Sequence, residues 1–346
     1  MKNFEVETNA VYLITDRTTR EYFTGVDIAE GYLFLSKTKV YFTDSRYFYA
    51  ANKALTKVGV ECRIYKSDED IAAFIKEVGA SVLYIDFERS TVKEYFDYQK
   101  FGVDIKDFSL KLQKFKSVKT ETEIASITKA CEIAQSAYHS VIKTLKEGMT
   151  ELELKEKLET KMFSLGATKT SFDTIVAFGE NSAVPHHETG NTKLKENSVV
   201  LIDMGCVYNG YCSDITRTAF FGTPDKKFLE CYDAVLNANL IAEDNITDKT
   251  TAKVGDAFAR NYLKEKNLDV FFTHSLGHGV GQEIHEYPRL SPKSDAVLEN
   301  GMVFTVEPGV YFDGEFGIRI EDTVLLENGK VKRLFTDEKK LLILKK

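Results

Sequence analysis

The clustering of histidines and carboxylates in the C-terminal part most constrains how this chain can fold. Five of the six histidines lie in two short stretches, Pro185–His187 and Thr273–Glu286. Four acidic residues lie in the same part of the chain: Asp203, Asp214, Glu307 and Glu321. Four carboxylates and a histidine suit a pair of divalent metals, and two metals about 3.5–4 Å apart can deprotonate a shared water near neutral pH. The fold is therefore expected to bring these segments together.

Asp203 and Asp214 are predicted to reach one site. The run Val199–Ile202 before Asp203 is typical of a buried strand, and Asn209-Gly210 strongly favours a type I′ hairpin. In that register Asp203 pairs with Thr216, so Asp214 projects from the same face as a diagonal neighbour. A carboxylate after an apolar run would cost several kcal/mol unless its charge is compensated. Independent turn or surface positions for the two residues are therefore the weaker interpretation.

Two further carboxylates belong to later strand-like segments. Glu307 follows the apolar run Val303–Val306. Arg319 and Glu321 are two residues apart, which on a strand places both on one face. A purely structural Arg319–Glu321 ion pair is the alternative. The nearby Glu307 makes a shared site the better hypothesis.

The glycines around His278 exclude a helical zinc motif. His274 and His278 have the spacing of a helical metal pair, but Gly277, Gly279 and Gly281 disfavour a helix, and no Glu follows His274. Glycines permit a backbone that passes close to a metal or substrate. This segment is therefore expected to be non-helical and close to the site.

The order of elements predicts two domains. Residues 1–116 alternate β-rich and helical runs, which indicates a small α/β domain, and none of its strands leads into a Gly-rich nucleotide loop. In residues 117–346 the capping boxes Thr120-x-x-Glu123 and Thr150-x-x-Glu153 open two helices, the first predicted to end at Gly148. Two helices followed by carboxylate-bearing strands then occur twice. This order suggests an internal duplication whose halves face each other across the metals.

Composition limits the classes of partner. A chain of 346 residues that is 43% hydrophobic can form two cores. The net charge of −7, without a basic run, argues against nucleic acid. No apolar run approaches the ~20 residues of a membrane span and the N-terminus lacks a signal sequence, so a cytoplasmic protein without a membrane partner is expected. The five scattered cysteines are expected to be reduced and mostly buried. Thiolate ligation by Cys212, which should share the face of Asp214, stays open.

Five motifs together resemble the M24 metallopeptidases, most closely the aminopeptidase P and prolidase group. They are Ile202–Gly205, Tyr211–Thr218, His274–Gly281 continuing through His285–Pro288, Val306–Tyr311 and Gly317–Asp322. The N-terminal segments Tyr22–Gly25 and Thr43–Tyr47 resemble the creatinase-like domain of that group. The implied fold is an α+β pita-bread catalytic domain over 117–346, preceded by a smaller α/β creatinase-like N-terminal domain over 1–116.

The resemblance also implies roles for individual residues. Asp203 would bind one metal, Asp214 and Glu321 would bridge both, and His278 and Glu307 would complete the second. Glu307 would in addition carry the proton from the bridging water to the leaving nitrogen.

Other residues match positions that contact the substrate. His186 and His285 would contact the scissile peptide and stabilise its oxyanion as protonated imidazoles, while His274 and Arg319 match pocket residues. Arg289 resembles an arginine aimed at the substrate's free carboxylate; a surface arginine paired with a local Glu is the alternative. The resemblance assigns no role to His187.

The implied function is hydrolysis of the bond between an N-terminal residue and proline by a metal-bridging hydroxide. The substrate would be a proline-containing di- or oligopeptide. The cofactors would be two divalent ions, with Mn²⁺ favoured over Co²⁺, Zn²⁺ or Fe²⁺, and a homodimer is expected. The alternatives are a metal-free relative that binds peptides and a creatinase-like hydrolase. Both are disfavoured because all five ligand positions hold ligating residues.

Overall fold

The computed structural model describes residues 2–345, which form two compact units divided between Phe115 and Lys116. Among the described residues, no helix is long and apolar enough to cross a membrane.

The N-terminal unit contains a six-stranded mixed sheet in the order β4-β3-β2-β1-β5-β6. Its strands are β1 (Ala10–Ile14), β2 (Tyr32–Leu35), β3 (Lys39–Thr43), β4 (Glu61–Ile64), β5 (Val82–Ile85) and β6 (Asp104–Asp107). The helices that begin in this unit are α1 (Arg17–Thr24), α2 (Ser45–Leu55), α3 (Asp68–Glu77), α4 (Val92–Gln99) and α5 (Ser109–Ser117).

Both faces of the inner strands of this sheet are buried, whereas the edge strands β4 and β6 are largely exposed. Tyr12 and Ile14 of β1 enter one hydrophobic core, while Val11 and Leu13 enter the other. Because successive strand residues point to opposite faces, a strand covered on both sides reads as a continuous apolar run. The sequence prediction of alternating strands and helices is confirmed here.

As far as residue 345, the C-terminal unit contains four long helices and fourteen strands. The helices are α6 (Glu121–Val141), α7 (Glu151–Ser164), α8 (Lys226–Asn245) and α9 (Ala252–Glu265). The strands before α8 are β7 (Lys169–Thr170), β8 (Ile175–Phe178), β9 (Ser198–Met204), β10 (Cys206–Tyr208), β11 (Tyr211–Cys212) and β12 (Ile215–Phe221). Those after α9 are β13 (Gly277–Gly279), β14 (Glu286–Leu290), β15 (Val303–Val306), β16 (Gly309–Phe312), β17 (Phe316–Arg319), β18 (Asp322–Glu327), β19 (Lys330–Arg333) and β20 (Leu342–Leu344).

The predicted helix starts are confirmed, but one predicted end is wrong. Thr120 and Thr150 both form the expected capping boxes, with Glu123 and Glu153 respectively. Helix α6 ends at Val141 and not at Gly148. The reason is local: Ile142–Thr144 tighten into a 3-10 turn, and the residue that follows is extended.

The hairpin register is as predicted. Asn209 and Gly210 both have positive φ, as a type I′ turn requires, and Asp203 pairs with Thr216. The strand is interrupted at Gly205, where a Cβ would lie 1.9 Å from the carbonyl oxygen of Ser213. This close approach brings the backbone beside Asp214.

A second expectation needs correction. Arg319 and Glu321 were predicted to lie on one strand, but β17 ends at Arg319 and β18 begins at Asp322. Strand β17 pairs with β16, whereas β18 pairs with β15. The chain therefore passes from one sheet to the other between the two residues.

Replacing Gly277 by Ala should destabilise the protein by about 1–3 kcal/mol, as overpacked core sites typically do. An ideal Cβ at this position lies 1.9 Å from the carbonyl oxygen of Thr305. Strand β13 would have to move away from β15. Chemical denaturation of the variant measures this loss.

Gly255, inside α9, provides the matched control. A Cβ there meets side-chain carbons of Ile246 and Leu290 no closer than 3.5 Å. Gly255→Ala should therefore be neutral or stabilising by up to about 1 kcal/mol, because Ala favours helices. Equal effects of the two substitutions would contradict the packing argument.

Candidate metal centre

Two of the predicted ligands lie at the β9–β12 hairpin. Asp203 is near the end of β9, and Asp214 directly precedes β12. The backbone of Asp214 is held by Thr323, whose hydroxyl donates to the Asp214 carbonyl oxygen at 2.8 Å. The hairpin is thereby attached to β18, the strand that follows Glu321.

The other two carboxylates lie at the paired ends of β15 and β18. Val306 pairs with Asp322, so Glu307 and Glu321 emerge beside each other at the edge of this sheet. The Thr216 hydroxyl donates to Glu321 Oε2 at 2.6 Å, and the Thr305 hydroxyl donates to Glu307 Oε1 at 3.1 Å. These hydroxyls orient both carboxylates, and sequence reasoning had not assigned them a role.

His278 lies among the carboxylates. Its Nε2 is 3.5 Å from Asp214 Oδ2 and 3.4 Å from Glu307 Oε1, while Nδ1 is 3.1 Å from the carbonyl oxygen of Gly279. Donation from Nδ1 to that carbonyl leaves Nε2 free to bind a metal. Ligand atoms of Asp214, His278 and Glu321 all lie within 4.8 Å of one another.

The residues fit a divalent metal. Asp203 Oδ1 and Asp214 Oδ1 are buried and have no hydrogen-bond partner among the described residues. Burial and neighbouring carboxylates raise the pKa of Asp214 and of Glu321 well above the usual range. Burial, followed by the charge of His285, lowers the pKa of His278 to about 4, which keeps the ring in the neutral form that binds metals. A cation would supply the positive charge that these carboxylates lack.

Arg319 binds Asp203 and not Glu321. Its Nη2 donates to Asp203 Oδ2 at 2.6 Å, and its Nη1 donates to the Tyr311 hydroxyl at 2.7 Å. That hydroxyl is 2.9 Å from Nε2 of His274, whose Nδ1 is 2.8 Å from the carbonyl oxygen of Ser275. Because the tyrosine oxygen accepts from Arg319, it can donate to His274. The simple Arg319–Glu321 pair considered from the sequence is therefore wrong.

Tyr311 is a further residue of the site that the sequence did not single out. Burial raises the pKa of Tyr311 to about 12, so it stays protonated and can donate. Burial, followed by the charge of Arg319, lowers the pKa of His274 to about 3, so this ring is neutral. Tyr311 belongs to the motif Val306–Tyr311, but only the folded chain shows which residue its hydroxyl contacts.

His285 and His186 lie at the open side of the centre. The His285 ring is 4.3 Å from the ring of His278, centroid to centroid, and is exposed. Burial lowers the pKa of His285, as does the nearby charge of His186. This shift favours a neutral ring that donates one N–H, whereas the sequence led us to expect a protonated imidazole. His186 is exposed too, and the carbonyl oxygen of the preceding Pro185 accepts from Arg319 Nη1 at 3.3 Å, which places His186 beside the same centre.

The remaining candidates differ in their surroundings. Arg289 is exposed, and its Nε donates to the Ser275 hydroxyl at 3.0 Å. Cys212 is buried, and burial raises the pKa of its thiol to about 12, which argues against a thiolate ligand. His187, which had no expected role, has its Nε2 2.9 Å from the buried carboxylate of Glu151.

Comparisons with known proteins agree with this architecture. Residues 125–328 match metallopeptidase family M24, and residues 2–118 match the creatinase/prolidase N-terminal domain. A Xaa-Pro dipeptidase from Pyrococcus horikoshii is 37% identical over 336 residues, which cover 95% of this chain and 93% of the relative.

Solved structures show the same likeness. A Xaa-Pro dipeptidase from Bacillus anthracis superposes with a TM-score of 0.92 at 35% identity, covering 96% of this chain and 95% of the other. An X-Pro aminopeptidase from Thermotoga maritima superposes with a TM-score of 0.87 at 32% identity, covering 97% of both chains. The expected pita-bread domain with a creatinase-like N-terminal domain is confirmed, and the chain belongs to metallopeptidase family M24.

Proposed function

We propose that this protein is a Xaa-Pro peptidase that uses two divalent metals to hydrolyse the bond between an N-terminal residue and proline. The observation that carries the proposal is the convergence of Asp214, His278 and Glu321, with Asp203 and Glu307 beside them. The relatives named above act on Xaa-Pro substrates, which supports the substrate class. An amide followed by proline lacks an N–H, so a dedicated peptidase for it is chemically reasonable.

The five proposed ligands would divide between two ions. Asp203 would hold one, His278 and Glu307 would hold the other, and Asp214 and Glu321 would contact both. When bound, the cations would lower the pKa of a water and offset negative charge on the peptide oxygen. Glu307 would carry a proton to the leaving proline nitrogen, work for which a positioned carboxylate typically contributes about 10²–10⁴-fold.

The open side of the centre would bind the peptide. His186 and His285 would donate hydrogen bonds to the peptide oxygen as its charge develops. His274 is oriented by Tyr311 and the carbonyl oxygen of Ser275, so it would line a preorganised pocket. Arg319 would hold Asp203 in place and line the pocket through Tyr311.

Three finer expectations stay predictions. They are Mn²⁺ as the preferred ion, a homodimer and a cytoplasmic location. Metal analysis of protein purified without chelator, combined with its native mass, tests the first two. A protein that binds no divalent ion would favour the metal-free alternatives.

Asp214→Asn should lose metal and turnover together while the fold survives. The amide offers one weaker oxygen in place of a carboxylate that could contact two ions. Metal content by mass spectrometry, circular dichroism and hydrolysis of a Xaa-Pro dipeptide measure the three properties. Two retained metals with a near-normal rate would refute the ligand assignment.

His186→Ala and His285→Ala should lower kcat by about 10²–10³-fold and leave metal content near normal. The loss of one hydrogen-bond donor to a developing oxyanion typically has this effect. Steady-state kinetics with parallel metal analysis distinguishes a hydrogen-bond donor to the substrate from a metal ligand. If the variants lost metal in proportion to activity, these histidines would instead be ligands.

Arg289→Ala should raise KM for a Xaa-Pro dipeptide much more than for the corresponding Xaa-Pro amide. A guanidinium binds a carboxylate through two parallel hydrogen bonds, and the amide has no carboxylate to lose. Arg289 is exposed and its Nε donates to the Ser275 hydroxyl, which leaves the two terminal nitrogens of the guanidinium to face a ligand. Equal changes in KM would remove Arg289 from the site.

A Xaa-Pro dipeptide compared with a Xaa-Pro tripeptide, each with Mn²⁺, Co²⁺ and Zn²⁺ added back, would show whether the enzyme prefers dipeptides or longer peptides.

A further inference from the structure

Glu151, at the first position of α7, is fully buried and lies outside the residues assigned to metal or substrate. Its carboxylate accepts four hydrogen bonds. Oε1 accepts from the Phe178 backbone N–H and the Asn181 amide, both at 2.8 Å. Oε2 accepts from the Gly190 backbone N–H at 3.1 Å and contacts His187 Nε2 at 2.9 Å. All four partners belong to the segment 178–190.

This segment carries His186 between its two attached ends. Phe178 and Asn181 precede His186, whereas His187 and Gly190 follow it. Backbone bonds strengthen the second attachment, since Leu152 donates to the Gly190 carbonyl oxygen at 2.9 Å. One carboxylate therefore joins both ends of the segment to the start of α7.

The middle of the segment reaches the metal centre. Arg319 Nη1 donates to the carbonyl oxygen of Pro185 at 3.3 Å, and the Gly317 backbone N–H donates to the Ser182 hydroxyl at 2.9 Å. The His186 ring itself is exposed. Its location therefore depends mainly on how the backbone of the segment is held.

A glutamate suits this position for physical reasons. An ionised carboxylate offers acceptor sites on both oxygens and no donor, which matches donors arriving at both. The N-terminus of a helix also favours negative charge. A glutamine would present its NH₂ group to two of the four donors, so half of the attachment would be lost.

We propose that Glu151 is a positioning residue for His186: its carboxylate fixes segment 178–190 so that the His186 ring faces the substrate. This inference rests on the proposed role of His186 in the reaction. Glu151→Gln is then expected to lower kcat by about 10–100-fold with little change in KM or metal content, because small misplacements of a reacting group have large rate effects.

Glu153→Gln is the matched control. Glu153 lies in the same turn of α7, but it is exposed and its carboxylate accepts from Thr150 of its own capping box. This variant is expected to keep the wild-type kcat. An equal loss of rate in both variants would overturn the proposal, because general damage to α7 would then explain it.

The decisive measurement combines Glu151→Gln with His186→Ala. If Glu151 acts through His186, the double variant will be no slower than His186→Ala alone, within about twofold. If the rate losses of the two single variants multiply in the double variant, the positioning role is overturned and the proposed function is left intact. A wild-type rate for His186→Ala would instead overturn the role of His186, and the positioning role with it.

His187→Gln keeps the test usable if Glu151→Gln does not fold. His187 is partly exposed and supplies one of the four contacts, so its substitution is milder. A smaller loss of kcat that disappears in the His186→Ala background supports the proposal. A loss that persists in that background would contradict it.

Discussion

The C-terminal unit is organised around the repulsion among its gathered carboxylates. Burial and the charge of neighbouring carboxylates raise the pKa of Asp214 and Glu321 well above the usual range and that of Glu307 to about 8. Such a cluster is stable only if protons, fixed cations or metals compensate the charge. The fold supplies Arg319 as one fixed cation, on Asp203. The negative charge that Arg319 leaves uncompensated is what suits the centre to divalent metals.

Behind the centre, a second network of buried charges fixes the backbone of Glu321. Arg217 donates to the Glu321 carbonyl oxygen at 2.6 Å and to Asp322 Oδ1 at 2.8 Å. Lys339 bridges Asp322 and Glu243. Burial by itself would raise the pKa of Asp322. Arg217 and Lys339 outweigh this effect and hold the pKa well below its usual value, so this carboxylate stays ionised. Adjacent acidic residues, 321 and 322, thus have opposite pKa shifts because one faces carboxylates and the other faces cations.

His285 and His186 each lie next to a residue that is bound to a buried carboxylate or is one itself. Glu286, next to His285, is bound by Lys119 at 2.9 Å. Burial raises the pKa of Glu286, but Lys119 and Lys116 outweigh this effect and lower it to about 2. Glu151 makes the corresponding attachment beside His186. A buried carboxylate therefore holds the backbone next to each exposed histidine. This lets a solvent-facing ring keep a defined position.

The sequence by itself determined the two α/β-rich parts, the capping boxes, the type I′ hairpin and the Asp203–Thr216 register, because each depends on neighbouring residues and strand periodicity. It also pointed to the four candidate carboxylates, which need compensation when buried, whereas the choice of His278 among the clustered histidines came from the resemblance to the M24 family. Only the tertiary structure decided that Arg319 binds Asp203, that Tyr311 orients His274 and that Glu151 holds the segment of His186. These pairs are far apart in sequence or lie on different sheets, and no local pattern encodes the distance between such side chains.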